Sequence, residues 1–222
     1  HLDHQIGRLI MALVEHELYD NTLILFTSDH GEELCDHHMF RKSRPYEGSA
    51  HIPLVISGGF LDNLGIQPGN VCHSVSELRD IMPTLLDFAN APVPETVDGV
   101  SLKPLLTHPE QKLRDFLHGE HSYGEFSNHW IVTSTDKYIW HSQTGQEQYF
   151  LLSEDPHELT DLIEQPQYQE RIAFLRNQLI HELTGRPEGF TDGMQLIPGC
   201  DYPPYLACPA DKDNLGKGGR SL

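Results

Sequence analysis

Leu2, Ile6, Leu9, Ile10, Leu13 and Val14 recur at three- and four-residue steps, which predicts an amphipathic helix ending near Leu18. Asp20 and Asn21 then form a turn. The run TLILFT, from Thr22 to Thr27, is rich in strand formers and carries no polar alternation. It predicts a strand buried on both faces, as in a parallel sheet. HIPLVIS, from His51 to Ser57, predicts a second such strand. Leu78, Ile81, Met82, Leu85, Leu86 and Phe88 predict a buried helix over Val75 to Ala89, kinked at Pro83. Helix, short turn and buried strand are the pieces of an α/β sheet.

The pattern changes after Leu106. Short strands are expected at Phe116 to His121, His129 to Ser134, Lys137 to His141 and Gln148 to Leu152. Hairpin turns fall at Asp136 and at Thr144-Gly145. Ile172, Leu175, Leu179 and Leu183 mark one face of a helix over Tyr168 to Leu183. Antiparallel strands plus one helix predict a small α+β subdomain. From Gly185 on, Pro and Gly dominate, so a surface-wrapping or disordered tail is expected. The expected organisation is therefore residues 1–107 as an α/β core, 108–185 as the α+β subdomain and 186–222 as the tail.

Composition narrows the function. Against 33 acidic residues stand 15 Lys and Arg, a formal charge of −18, which argues against nucleic acid as a partner. The four cysteines, Cys35, Cys72, Cys200 and Cys208, form no C-x-x-C pair and are too few for a disulfide framework. A bridge between Cys200 and Cys208 would close within the tail. No apolar run approaches the roughly 18 residues of a membrane span. The chain opens HLDHQIGRL, without Met and already in helical pattern, so its start is not expected to be the start of the domain. That leaves the compartment open.

The chemistry concentrates behind the first strand. Asp29 and His30 follow it directly, where ligands collect in open α/β sheets, and Gly31 adds backbone freedom. A carboxylate beside an imidazole suits a divalent cation, without choosing between zinc, manganese and calcium. A capping aspartate followed by a loop histidine is the plainer alternative. Lys42 lies further on in FRKSRPYEGS. A lysine near a cation makes sense where both hold an oxyanion such as sulfate or phosphate. Arg41 and Arg44 flank it, and they either bind an anionic substrate or balance nearby acids.

T-S-D-H-G-E, then D-H-H-x-F-x-K, then Y-E-G-S-x-x-I-P resemble the second half of the type I sulfatase family. LDHQIGRL, SELRDIMPTLLDFANAPVP and EQYFLLSEDPHELTDL extend the resemblance in order over roughly residues 1 to 190. It implies an alkaline-phosphatase-like α/β fold, present here as a partial core followed by the antiparallel-sheet subdomain. By the same resemblance Asp29 and His30 are metal ligands, usually to calcium, and Lys42 contacts the sulfate and eases departure of the leaving oxygen. His37 and His38 lie between them, and one of the two, with His37 as the candidate, protonates the leaving alcohol or lines the pocket, a pair of surface histidines being the plainer reading. Arg44 is a candidate for substrate binding. His118, Glu120 and His121 (HGEH) lie on the first strand of the subdomain, and His121 is a candidate to select substrate. The plainer reading of HGEH is an edge strand with polar side chains.

The family's nucleophile is a formylglycine made from the Cys or Ser of C/S-x-P-x-R, and this sequence does not contain that motif. Ser43-Arg44-Pro45 begins like it, but Tyr46-Glu47 follows. The formylglycine and the paired early aspartates of the family are expected upstream. The 222-residue chain alone is therefore expected to show no sulfatase turnover and an incompletely covered sheet. The expected substrate is a sulfated small molecule or sugar. The rival readings are a phosphodiesterase or phosphonate monoester hydrolase of the same superfamily, or a non-catalytic sulfatase-like binding protein.

Overall fold

The computed structural model describes residues 1–121 and 126–200. In chain order the elements are α1 (Leu2–Glu15), β1 (Ile24–Thr27), α2 (Glu47–Ala50), β2 (Leu54–Ser57), α3 (Gly59–Asn63), α4 (Ile81–Phe88), α5 (Lys103–Thr107), β3 (Leu117–His121), β4 (Asn128–Val132), β5 (Lys137–His141), β6 (Glu147–Phe150) and α6 (Gln169–Leu183). They form two compact units. One comprises His1–Gly31 and His51–Asp115, the other Glu32–Ala50 and the described residues from Phe116 on.

In the first unit β1 pairs with β2, from Ile24↔Ser57 to Thr27↔Leu54, and the pairing is antiparallel. This corrects the expectation of a parallel strand buried on both faces: every β1 residue is only half-buried. Uninterrupted apolarity in so short a run sets strand type but not pairing direction. Gly58 follows β2 at φ +114, and a Cβ there would lie 2.2 Å from the Thr22 carbonyl oxygen, so the close return of the chain requires glycine. Helix α1 forms where its periodicity predicts, yet none of its residues is buried, and Leu2, Leu9, Met11 and Val14 are exposed. The stripe that would bury them finds no cover within this unit.

The helix expected over Val75 to Ala89 is shorter. A 3₁₀ turn over Leu78–Asp80 runs into α4, and Pro83 falls in the first turn of α4, where its missing N–H deprives no carbonyl. The kink expected there does not arise. Asp80 is fully buried and holds this region together. It accepts hydrogen bonds from Arg114 at 2.6 and 2.7 Å, and from the backbone N–H groups of Glu77 and Val100. Burial alone would raise its pKa, but the Arg114 and backbone hydrogen bonds outweigh that and lower it.

The second unit is built on the meander β3-β4-β5-β6, all antiparallel. Helix α6 covers one face: Ile131, Tyr138, Trp140 and Tyr149 pack with Ile172, Leu175, Leu179, Leu183 and Phe190. The four helix positions expected to face inward are all buried. On the other face Tyr46 packs against Ile139 and Phe150, so the 32–50 segment covers that side. Strand β5 is consequently buried on both faces along KYIW. The turns fall at Asp136 and at Gly145, which has φ +77. The expected tail is described as far as Cys200. Phe190 is fully buried, and Thr191 bridges to Leu196, so this stretch is part of the core. Cys208, and with it the possible Cys200–Cys208 bridge, lies outside the described residues.

Candidate functional site

In the first unit the chain leaves β1 through Ser28 and presents two donors side by side. His30 Nε2 lies 3.4 Å from Asp29 Oδ2, a spacing that one divalent cation can span. His30 Nδ1 lies 2.7 Å from the Gly31 carbonyl oxygen, which accepts its proton and leaves the Nε2 lone pair free. Asp29 also accepts from its neighbour's backbone N–H at 3.1 Å, which fixes the carboxylate's direction. Its side chain is 84% exposed, so the pair faces solvent within its own unit. One oxygen and one nitrogen donor supply part of a coordination sphere. They fit a divalent cation whose remaining ligands come from elsewhere.

In the second unit residues 33–41 close a loop through Glu33 N–H to Arg41 carbonyl and Cys35 N–H to Met39 carbonyl bonds. Leu34, Cys35, His37, His38, Arg41 and Ser43 all adopt positive φ between 48° and 85°. For non-glycine residues this conformation costs on the order of 1–2 kcal/mol each, so the surroundings must over-determine it. The loop presents Lys42, which is exposed. The His37 ring stacks on Tyr46 at 4.2 Å and 14°. The Arg44 guanidinium sits 4.7 Å above the Phe126 ring, a cation–π contact. His121, on the same sheet face as Ile139, is half-buried. Burial first, then the Arg44 charge, lower its pKa and favour the neutral ring.

A buried ionic staple fixes this loop to the sheet. Lys137, 1% exposed, donates to the Pro45 carbonyl at 2.8 Å. It also lies 2.6 Å from Glu47 Oε1 and 2.8 Å from Glu158 Oε1, the latter an ion pair rather than an aligned hydrogen bond. Glu158 Oε2 in turn accepts the Glu47 N–H at 2.6 Å. Sequence reasoning passed over Lys137, since a lysine inside KYIWH looks like an ordinary strand residue. Its only sign was the contradiction of a charge amid strong strand formers.

Glu33 is the other group missed. It is buried, and among the described residues its oxygens find no hydrogen-bond partner. The Ser49 N–H is committed to the Tyr46 carbonyl at 3.0 Å and only softens the shift. Desolvation first, then the charge of Glu158, push the Glu33 pKa from 4.5 up to about 7. A Cβ on Gly48 would sit 2.9 Å from Glu33 Oε2, so glycine leaves room for the carboxylate in its present position. Because the folded value exceeds the unfolded one, the folded state binds the extra proton between the two. Stability contributed by the neutral carboxyl is present below pH 4.5 and is lost as pH rises toward 7. Glu33→Gln is expected to flatten this slope, so that the variant gains melting temperature over the wild type at pH 8 but not at pH 4. Melting profiles that run parallel across that range would show the group is solvated.

The family described as N-sulphoglucosamine sulphohydrolase, C-terminal, matches residues 35–184. An arylsulfatase of Clostridium perfringens is 54% identical over 205 residues, covering 91% of this chain and 42% of that protein. The chain belongs to the sulfatase family. Arylsulfatase K of Homo sapiens is 34% identical, with 84% of this chain and 35% of that protein aligned. Among solved structures, BT4656 in complex with its substrate D-glucosamine-2-N,6-O-disulfate aligns with a TM-score of 0.74 and 27% identity, over 82% of this chain and 38% of that one. A phosphonate monoester hydrolase of Agrobacterium radiobacter aligns with a TM-score of 0.69 and 29% identity, over 81% and 38%. The sulfatase chain thus spans less than half the length of these relatives.

Proposed function

We propose that this chain is the C-terminal part of a metal-dependent sulfuric ester hydrolase, which cleaves a sulfate ester to the alcohol and sulfate. The observation that carries the reading is the adjacent Asp29 and His30 donor pair, in a chain 54% identical to an arylsulfatase. In this reading Asp29 Oδ2 and His30 Nε2 hold the cation, calcium by family, and the Gly31 carbonyl keeps the imidazole in the tautomer that can ligate. A bound divalent cation supplies fixed positive charge to the sulfate oxygens. Lys42 gives an ammonium to the sulfate and to the developing charge on the leaving oxygen. His37, held face-on by Tyr46, delivers a proton to the departing alcohol. Arg44 and His121 bind the substrate's anionic and polar groups. The formylglycine nucleophile belongs to a part of the enzyme outside this sequence. Sulfated sugars and aryl sulfates are the substrate classes, the former because BT4656 takes a disulfated glucosamine.

The test uses the intact enzyme with an aryl sulfate and the matching aryl phosphonate monoester. Sulfate turnover is expected to dominate. A chelator is expected to remove at least about 100-fold of the rate, since bound metal contributes several kcal/mol of charge stabilisation, and added calcium to restore it. Preference for the phosphonate would instead place the chain with the hydrolase of Agrobacterium radiobacter.

A further inference from the structure

On the sheet face that packs under α6, opposite the face covered by the 32–50 segment, three ligand-type side chains meet. His118 and Glu120 are two apart on β3, and His129 lies directly across from Glu120 on β4. His118 Nε2 is 3.2 Å from His129 Nδ1, and Glu120 Oε2 is 3.3 Å from the same nitrogen. One donor atom from each of the three falls within 4.8 Å of the others. We propose that His118, Glu120 and His129 form a second metal site, taking a zinc-class divalent transition ion through two imidazoles and one carboxylate.

The spacing supports this directly. Two ligand atoms bound to tetrahedral zinc at 2.0–2.1 Å stand about 3.3 Å apart, which matches both short distances here. His129 Nδ1 faces the Glu120 carboxylate and the His118 ring nitrogen together. The rings are held ready. His129 is 2% exposed, stacked on Trp140 and packed edge-on by Phe190, and His118 stacks parallel to it at 5.5 Å. Arg186 orients the carboxylate at 2.6 Å and is itself bound by Glu188, the kind of outer partner that metal-ligating carboxylates use. Glu120 side-chain exposure of 46% leaves a fourth position open to water. Two nitrogens and one oxygen with an open position is a donor set that zinc takes and calcium does not favour. Its role is a clip: it ties edge strand β3 to β4, and through Arg186 to the segment that carries Phe190. It is independent of the sulfatase reaction.

Cobalt(II) is the probe. The intact enzyme, stripped with chelator and then saturated with calcium, is expected to bind one equivalent of cobalt with the visible absorption of a low-symmetry site. His118→Gln is expected to lose that absorption and to weaken binding at least about 10-fold, and Glu120→Gln to do the same. Asp29→Asn is expected to keep it. Zinc is expected to raise the melting temperature of the wild type and not of His118→Gln, while the metal-free melting temperatures agree. An absorption unchanged in His118→Gln, abolished in Asp29→Asn, or lacking in the wild type overturns the proposal.

Discussion

Lys42→Ala is expected to lower kcat of the intact enzyme by about 100- to 1,000-fold, the scale for removing one preorganised donor from developing negative charge. The ammonium is exposed in its unit and makes no part of the core, so the melting temperature is expected to stay unchanged. KM is expected to move little, because the contact strengthens as charge collects on the leaving oxygen. Aryl sulfates with poor leaving groups are expected to suffer most. A loss of less than about tenfold, or one uniform across leaving groups, would remove Lys42 from the reaction.

The second large effect is on folding. Lys137→Met is expected to destabilise the second unit by about 3–5 kcal/mol, read as a fall in the urea midpoint at constant slope. The cost does not come from the lost attraction alone. Lys137 and Glu158 are both almost wholly inaccessible to water, and burial already raises the Glu158 pKa, so removing the cation leaves a dry carboxyl facing Glu47 that either keeps an uncompensated charge or takes up a proton at a cost. Adding Glu158→Gln to Lys137→Met is therefore expected to recover part of the loss, since the second change deletes the stranded carboxyl. A single variant as stable as the wild type, or two strictly additive changes, would show that water reaches the cluster. The functional readout follows from position. Lys137 holds the Pro45 carbonyl, close behind Lys42, and six neighbouring non-glycine residues adopt left-handed backbone that only a firmly anchored loop sustains.

Much of the second unit was legible because its signals are local. The four-residue spacing in α6 and the turn residues at Asp136 and Gly145 each dictate a geometry without reference to distant chain. The direction of β1 was not legible. ILFT pairs equally well in either sense, and the choice rests on β2, which lies beyond a long connecting segment. The candidate site divides the same way. Asp29 and His30 are adjacent and were readable as a donor pair, because neighbouring residues need no fold to bring them together. His129 was not, since it reaches His118 and Glu120 only through the β3–β4 register. Glu33 and Lys137 were hidden for the same reason: a buried charge is recognised by its surroundings, and Glu47, Glu158 and Pro45 come from far along the chain.

The two units are interleaved rather than consecutive, with Glu32–Ala50 inserted between halves of the first yet belonging to the second. No single cut can therefore excise either one. A recombinant piece beginning at Phe116 would carry Ile139 and Phe150 stripped of the Tyr46 ring, and an ammonium at Lys137 with half its counter-charges gone. On the ribosome the same arrangement makes residues 32–50 wait, tethered but unseated, until the strands that receive them have emerged.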